Sequence, residues 1–211
     1  TATRGQPATE IDIFTPRDLL ALPDTGVALA MRARVALVAT RAAQPTTRQT
    51  EDRGMVVHSA TLVTTPGAEG VLVGGLLLNR NLDFIDTINA LVYRDTGRAG
   101  DRQGTATLFL EDVRISTNVR LFAGERALGT RVSAAVRSIV LDQGQTWLDS
   151  AFVVNDWYIS AYRPLTDSFG KRVGMLYVGF LQAPFDAAKR RAYLLVLAAF
   201  LVVLAVSAPL F

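Results

Sequence analysis

The sequence predicts an α+β chain: an antiparallel sheet with helices packed on it, in tandem modules of which the first is incomplete if its two like hairpins are a true repeat, followed by one apolar helix. Two observations carry that prediction. Short apolar strands come in pairs joined by glycine-containing turns, and helical periodicity appears only between the pairs. The last twenty residues, Ala192 to Phe211, hold no charged side chain and match a hydrocarbon core of roughly 30 Å at about 1.5 Å per residue.

Thr1 to Met31 is irregular in period and rich in Pro, Thr and Asp, with one short helix over Pro16–Leu22 opened by Thr15 as cap and Pro16 in its first turn. Val35–Val38 reads as a short strand and Thr40–Arg53 as a loop. Met55–Val63 and Val71–Leu78 read as a hairpin turned at Pro66-Gly67. Leu82, Ile85, Ile88, Leu91 and Val92 then recur at helical spacing, with Asp83 and Asp86 where a helix start favours anions, before the Gly97–Gly104 loop. Strands follow at Thr105–Leu110 and Val113–Val119, joined by a tight turn at Glu111-Asp112. A helix over Val132–Leu141 stops at Gly144, and Trp147–Val154, Trp157–Pro164 and Val173–Leu181 are the last strands. Gly74, Gly75 and Gly174 inside strands mark close backbone packing or bulges. The hairpins Val56–Leu78 and Trp157–Leu181 share a Ser-Ala strand, a Gly-containing turn and an apolar strand with Gly near its end. A true repeat and a chance likeness of hairpins both explain this.

The chain begins at Thr1 and not at methionine, which suggests a fragment or a processed form. Of its 22 basic side chains, Lys189, Arg190 and Arg191 stand directly before the apolar run, and the other 19 are matched by 19 acids. The scattered arginines form no basic stripe for nucleic acid. The three clustered cations suit the headgroup level of a membrane. With no cysteine there is neither a disulfide framework nor thiol chemistry. His58 is the sole histidine, and there is no Ser-His-acid set, metal-ligand cluster or phosphate-binding glycine loop, so no catalytic residue, metal or cofactor is predicted.

Binding residues are a different matter. Tyr158, Ser160 and Tyr162 share one face of their strand, giving two phenols and a hydroxyl for a pocket wall or, equally, an ordinary sheet core. Trp147, at the start of the preceding strand, is placed to lid the same pocket or to pack in the core. Arg131, in GTRVS just before a helix start, is placed to clamp a carboxylate, or to pair with Glu125 or another acid. Arg114, Ser116 and Asn118 share the other candidate face, as part of a polar site or as exposed sheet surface.

From about Val71 onward the chain resembles the double Cache sensors, PAS-like extracytoplasmic domains of bacterial transmembrane receptors. The matching strings are VLVGGLLLNRN, DFIDTI, GTATLFLEDVRISTNV, GERALGTRVS and AFVVNDWYISAYRPLTDSFGKRVGMLYVGFL, with GTRVS and PLTD-x-x-G-x-x-VGMLYVG the most specific. The resemblance implies three parts: a partial membrane-distal module over 1–78, a membrane-proximal PAS-like module over 79–185, and a juxtamembrane and transmembrane helix over 186–211. It implies residues 1–188 in the periplasm of an inner-membrane receptor, a small-molecule ligand, an anionic one suiting Arg131, and a homodimer. The output domains most frequent in the family are histidine kinases, so the chain itself is expected not to be an enzyme. Chemotaxis receptors and cyclic-dinucleotide enzymes share the sensor, and a membrane-anchored interaction module without a small ligand is the alternative of another class.

Overall fold

The computed structural model describes residues 8–65, 68–93, 104–121 and 124–207. The chain runs β1 (Ala8–Phe14), α1 (Pro16–Leu20), α2 (Gly26–Ala33), β2 (Val35–Ala36), β3 (Thr50–Glu51), β4 (Gly54–Thr65), β5 (Ala68–Leu77), α3 (Leu82–Val92), β6 (Gly104–Leu110), β7 (Val113–Thr117), α4 (Ala134–Arg137), β8 (Trp147–Val153), β9 (Asp156–Thr166), β10 (Arg172–Leu181) and α5 (Ala183–Ser207). A π-helical turn, Ser138–Asp142, continues α4. Among the described residues the strands form a five-stranded sheet in the order β7-β6-β10-β9-β8, a three-stranded sheet β1-β4-β5, and the pair β2-β3, with every ladder antiparallel.

Burial explains the layering. Every residue of β6 is buried, because both faces at the centre of the large sheet are covered. On one face Phe109, Tyr162, Met175 and Tyr177 pack with Val136 of α4 and with Val140 and Leu141 of the π turn. On the other, Leu108, Leu110, Ile115 and Val173 meet Ile85 of α3 together with Met55, Ile11 and Ile13 from the small sheet. This second cluster binds the two sheets together, each fully buried aliphatic contributing about 1.5–3 kcal/mol. A smaller core of Leu19, Ala33, Val56 and Leu77 lies beneath α1 and α2.

Local signals account for several boundaries. Thr15 and Asp18 close a capping box on α1. The Asn81 side chain accepts from the Phe84 N–H and so starts α3. Two expectations change. The stretch expected to be irregular contains β1 and α2; β1 is a strand because it pairs with β4 from Ala8↔Ala60 to Phe14↔Gly54, a partner that local pattern does not reveal. The helix expected over Val132–Leu141 begins instead at Ala134, capped by the Ser133 hydroxyl, and widens into the π turn. The Pro66-Gly67 turn and the loop from 97 to 103 lie outside the described residues.

Three bonds fasten the segment after β2 to the loop that precedes α4 and to the first residue of α4. The Val38 N–H donates to the Gly129 carbonyl at 2.9 Å, and the Ala134 N–H to the Ala42 carbonyl at 2.8 Å. The Arg131 N–H donates to Thr40 Oγ1 at 3.0 Å. At the other end of the chain, every residue of α5 from Ala187 to Ala205 is exposed, so this helix stands clear of the sheets. Among the described residues no helix is long and apolar enough to cross a membrane, and the last four residues of the apolar run are outside them.

Gly129 has φ +76°, and a Cβ there would lie 1.9 Å from the Ala36 carbonyl oxygen. Gly129→Ala is expected to lower stability by about 1–3 kcal/mol, read as a drop in the denaturation midpoint at constant slope. A second expectation concerns pH. Arg53 hydrogen bonds, against partial burial, hold the Glu111 carboxyl below its ordinary value of 4.5. The folded carboxylate is the more acidic, so its contribution is complete above about pH 4.5 and is lost as pH falls through the lower folded value. Thermal unfolding from pH 7 to pH 3 should show wild type ahead of Glu111→Gln at neutrality, with the gap closing in acid.

Candidate ligand-binding site

A cavity of about 750 Å³ opens on the sheet face that carries Tyr162 and Trp147, walled on the far side by the segment Val38–Ala42 and by Thr130–Ser133. Its position follows from incomplete cover. α4 and the π turn span only part of that face, and the tethered segment after β2 closes over the rest.

Arg114 reaches the cavity because of a bulge. Register slips between Leu108 and Phe109, so that Phe109 opposes Arg114 while Leu108 opposes Ser116 and Ile115 is the extra residue. Arg114 therefore lies on the cavity side with Phe109. Ser116 turns to the α3 side, where its hydroxyl donates to the Asn81 carbonyl at 2.8 Å. Asn118 is engaged elsewhere, its Oδ1 accepting from the Ala106 N–H at 2.7 Å. The expectation that Arg114, Ser116 and Asn118 share a face is thus corrected, since simple alternation does not survive an inserted residue.

The environment of Arg114 is unusual for a cation. The residue is 3 % exposed, and its guanidinium carbon sits 5.0 Å from the centroid of the Phe109 ring. One nitrogen, Nη1, donates to Thr130 Oγ1 at 2.5 Å, whereas Nε is buried without a partner. Among the described residues no carboxylate pairs with it. Burial lowers its pKa, but arginine stays charged.

Arg131 is the opposite case. Its Nη2 meets Asp112 Oδ2 at 2.5 Å and its Nη1 donates to the Gln44 carbonyl, so the partner is Asp112 and not Glu125. The helix start beside it is also satisfied, because Ser133 Oγ accepts from the Val136 N–H and the Ala134 N–H is bound to Ala42. The Arg131 Nε is buried without a partner.

Of the other expected residues, Trp147 and Tyr162 line the cavity, paired across β8 and β9. The indole Nε1 of Trp147 is buried with no partner. Tyr162 and Tyr177 lie with ring centroids 4.7 Å apart, and burial pushes the Tyr162 phenol up to about 12, so it is neutral at physiological pH. Tyr158 packs at the edge of the same core, and Ser160 donates to the Tyr158 carbonyl; neither lines the cavity. Sequence reasoning missed Thr130, Trp157 and the wall from Val38 to Ala42. No local signal marks that wall, because tertiary bonds bring it across about 90 residues of chain.

A second cavity of about 570 Å³ lies where the small sheet meets β10 and is lined by Asp12, Arg53, Glu111 and Lys171 among others. There Arg53 pairs with Glu111, and Asp12 accepts from Ser168 and contacts His58 Nε2 at 2.7 Å. It holds no buried donor left without a partner, among the described residues.

An antiparallel sheet with helices on it and a cavity on one face is the build of a ligand-sensing module. The Single cache domain 3 model matches residues 76–192, more than half of the chain, and the chain belongs to that family. Cache domains are extracellular small-ligand sensor modules. Comparison with curated proteins and with solved structures finds no match.

The two arginines predict opposite responses to substitution. Replacing a buried, uncompensated charge with an apolar chain of similar length removes a desolvation penalty, whereas stripping the partner from a buried pair leaves a charge alone. Arg114→Met is expected to leave the unfolding midpoint unchanged or raised, and Asp112→Ala to cost about 3–5 kcal/mol, both read by chemical denaturation without ligand.

Proposed function

We propose that this chain is the periplasmic small-ligand sensor region of a two-component histidine kinase in a bacterial inner membrane, with α5 as its exit transmembrane helix. One observation carries the reading: three N–H donors that lack partners, Arg114 Nε, Arg131 Nε and Trp147 Nε1, belong to residues lining a single cavity. Buried donors are almost always satisfied, so three unpartnered ones on the lining residues of one cavity support an occupant that brings acceptors.

The path outward is short. Trp157 lines the cavity, and its carbonyl accepts from the Gln182 N–H at 2.9 Å, one residue before α5 begins. Phe180 at the end of β10 packs edge-on against Tyr93 and also faces Phe185 in the first turn of α5. A ligand that favours one position of β9 and β10 thereby favours one position of the helix. The shift is bounded by its differential affinity for the two states, commonly about 1–3 kcal/mol. Lys189, Arg190 and Arg191 would sit at the headgroups, with the apolar run beyond them in the bilayer. The small core under α1 and α2, together with the like plan of the β4-β5 and β9-β10 hairpins, supports reading residues 1–78 as a partial distal module; the receptor would work as a homodimer.

A second reading has its own observation. Leu148, Phe152, Trp157 and Ile159 are exposed apolar side chains at the β8-β9 end of the large sheet, a surface suited to a protein partner. Thermal-shift screening of the whole chain in detergent against carboxylates, amino acids and purines separates the two. Sensing predicts a rise of several degrees with at least one compound; a flat response across all three panels transfers the weight to the interaction module.

A further inference from the structure

The chemistry of the lining narrows the ligand further, provided the small-ligand reading holds. Among the described residues three arginines, Arg41, Arg114 and Arg131, line the cavity and no aspartate or glutamate does. An ammonium group would find no counter-charge there, so amino acids and amines are disfavoured. The three cations are not equal. Arg41 is exposed to solvent, which screens it, and Arg131 is neutralised by Asp112 at 2.5 Å. Among the described lining residues only Arg114 is desolvated and uncompensated, so they give the enclosed part of the cavity a single unbalanced positive charge. Around it the surface is aromatic and aliphatic, with Trp147, Tyr162, Trp157, Val132 and Val136.

We propose that the cavity binds a monocarboxylate with an apolar body, its carboxylate held by the Arg114 guanidinium and its body against Trp147 and Tyr162. A guanidinium with a free Nε edge takes a carboxylate through parallel N–H donors, which single point charges do not match. A dicarboxylate would bring a second charge for which no unpaired, desolvated cation remains. The cation–aromatic contact with Phe109 and the bond to Thr130 hold the guanidinium in place before the ligand arrives, which reduces the ordering needed on binding.

Both tryptophans of the chain line this cavity, so intrinsic fluorescence reports its occupancy directly. The test is titration of the whole chain in detergent with benzoate, phenylacetate and hexanoate. Each acid is compared with its neutral amide and with succinate and phthalate, and the fluorescence is checked by calorimetry. At least one monocarboxylate should bind, its amide about 10- to 100-fold more weakly, and Arg114→Gln should weaken the acid by a similar factor while leaving the amide unchanged. Should Arg114→Gln not fold, the acid and amide pair on the wild-type chain decides alone. An amide as tight as its acid, a dicarboxylate tighter than every monocarboxylate, or a purine or amino acid bound with undiminished affinity in Arg114→Gln overturns this proposal and leaves the sensor reading intact. If no charged or neutral compound binds, both fall.

Discussion

Strands β6 and β10 must be kept from water on two sides, and most of the molecule is arranged to do so. α3 and the small sheet cover one side through Ile85, Met55 and the isoleucines of β1. Cover on the other side comes from α4, a π-helical turn and a borrowed segment of chain, none of which packs the whole surface. The space left over is the cavity. A site arises here because a rigid, well-buried sheet is roofed by short pieces that meet imperfectly.

Within that space two neighbouring arginines illustrate how environment decides what a charge does. Arg131 is locked into an ion pair whose removal would unbalance Asp112, and its work is to hold the loop after Gly129 against the strand. Arg114 has the Phe109 ring and the Thr130 hydroxyl as neighbours and, among the described residues, no carboxylate paired with it. Such an arrangement lowers the stability of the empty protein, and proteins keep arrangements of that kind where function requires them.

Much of the architecture was legible in the residues themselves. The hairpin β4-β5, the amphipathic α3 and the three strands after Gly144 were all read from period and turn chemistry, because each is specified locally. What escaped is non-local. β1 is a strand only through its long pairing with β4, and β2 finds its partner β3 inside a segment that reads as loop. The same division applies to the site. Alternation gave Tyr162 together with Tyr158 and Ser160, the latter two of which stay off the cavity, and Trp147 came from its place at the start of the preceding strand. Ile115 breaks alternation in β7 and separates Arg114 from Ser116 and Asn118, a change no periodicity rule foresees. Position before a helix left Arg131 open between clamping a carboxylate and pairing with an acid; the nearby Asp112, beside it through the Glu111-Asp112 turn, takes the second role, and the unpaired guanidinium is that of Arg114.

The wall from Val38 to Ala42 lies upstream of the span that defines the family, which begins at residue 76. The cavity is therefore bounded jointly by a recurring scaffold and by a piece of chain that the scaffold does not include. Two proteins with the same core and different upstream segments would present different roofs over the same floor. The lining can then diverge between such proteins with no change in the sequence by which they are grouped, and a fragment cut at the family boundary would keep α4 and the 130–133 wall but lose the 38–42 one.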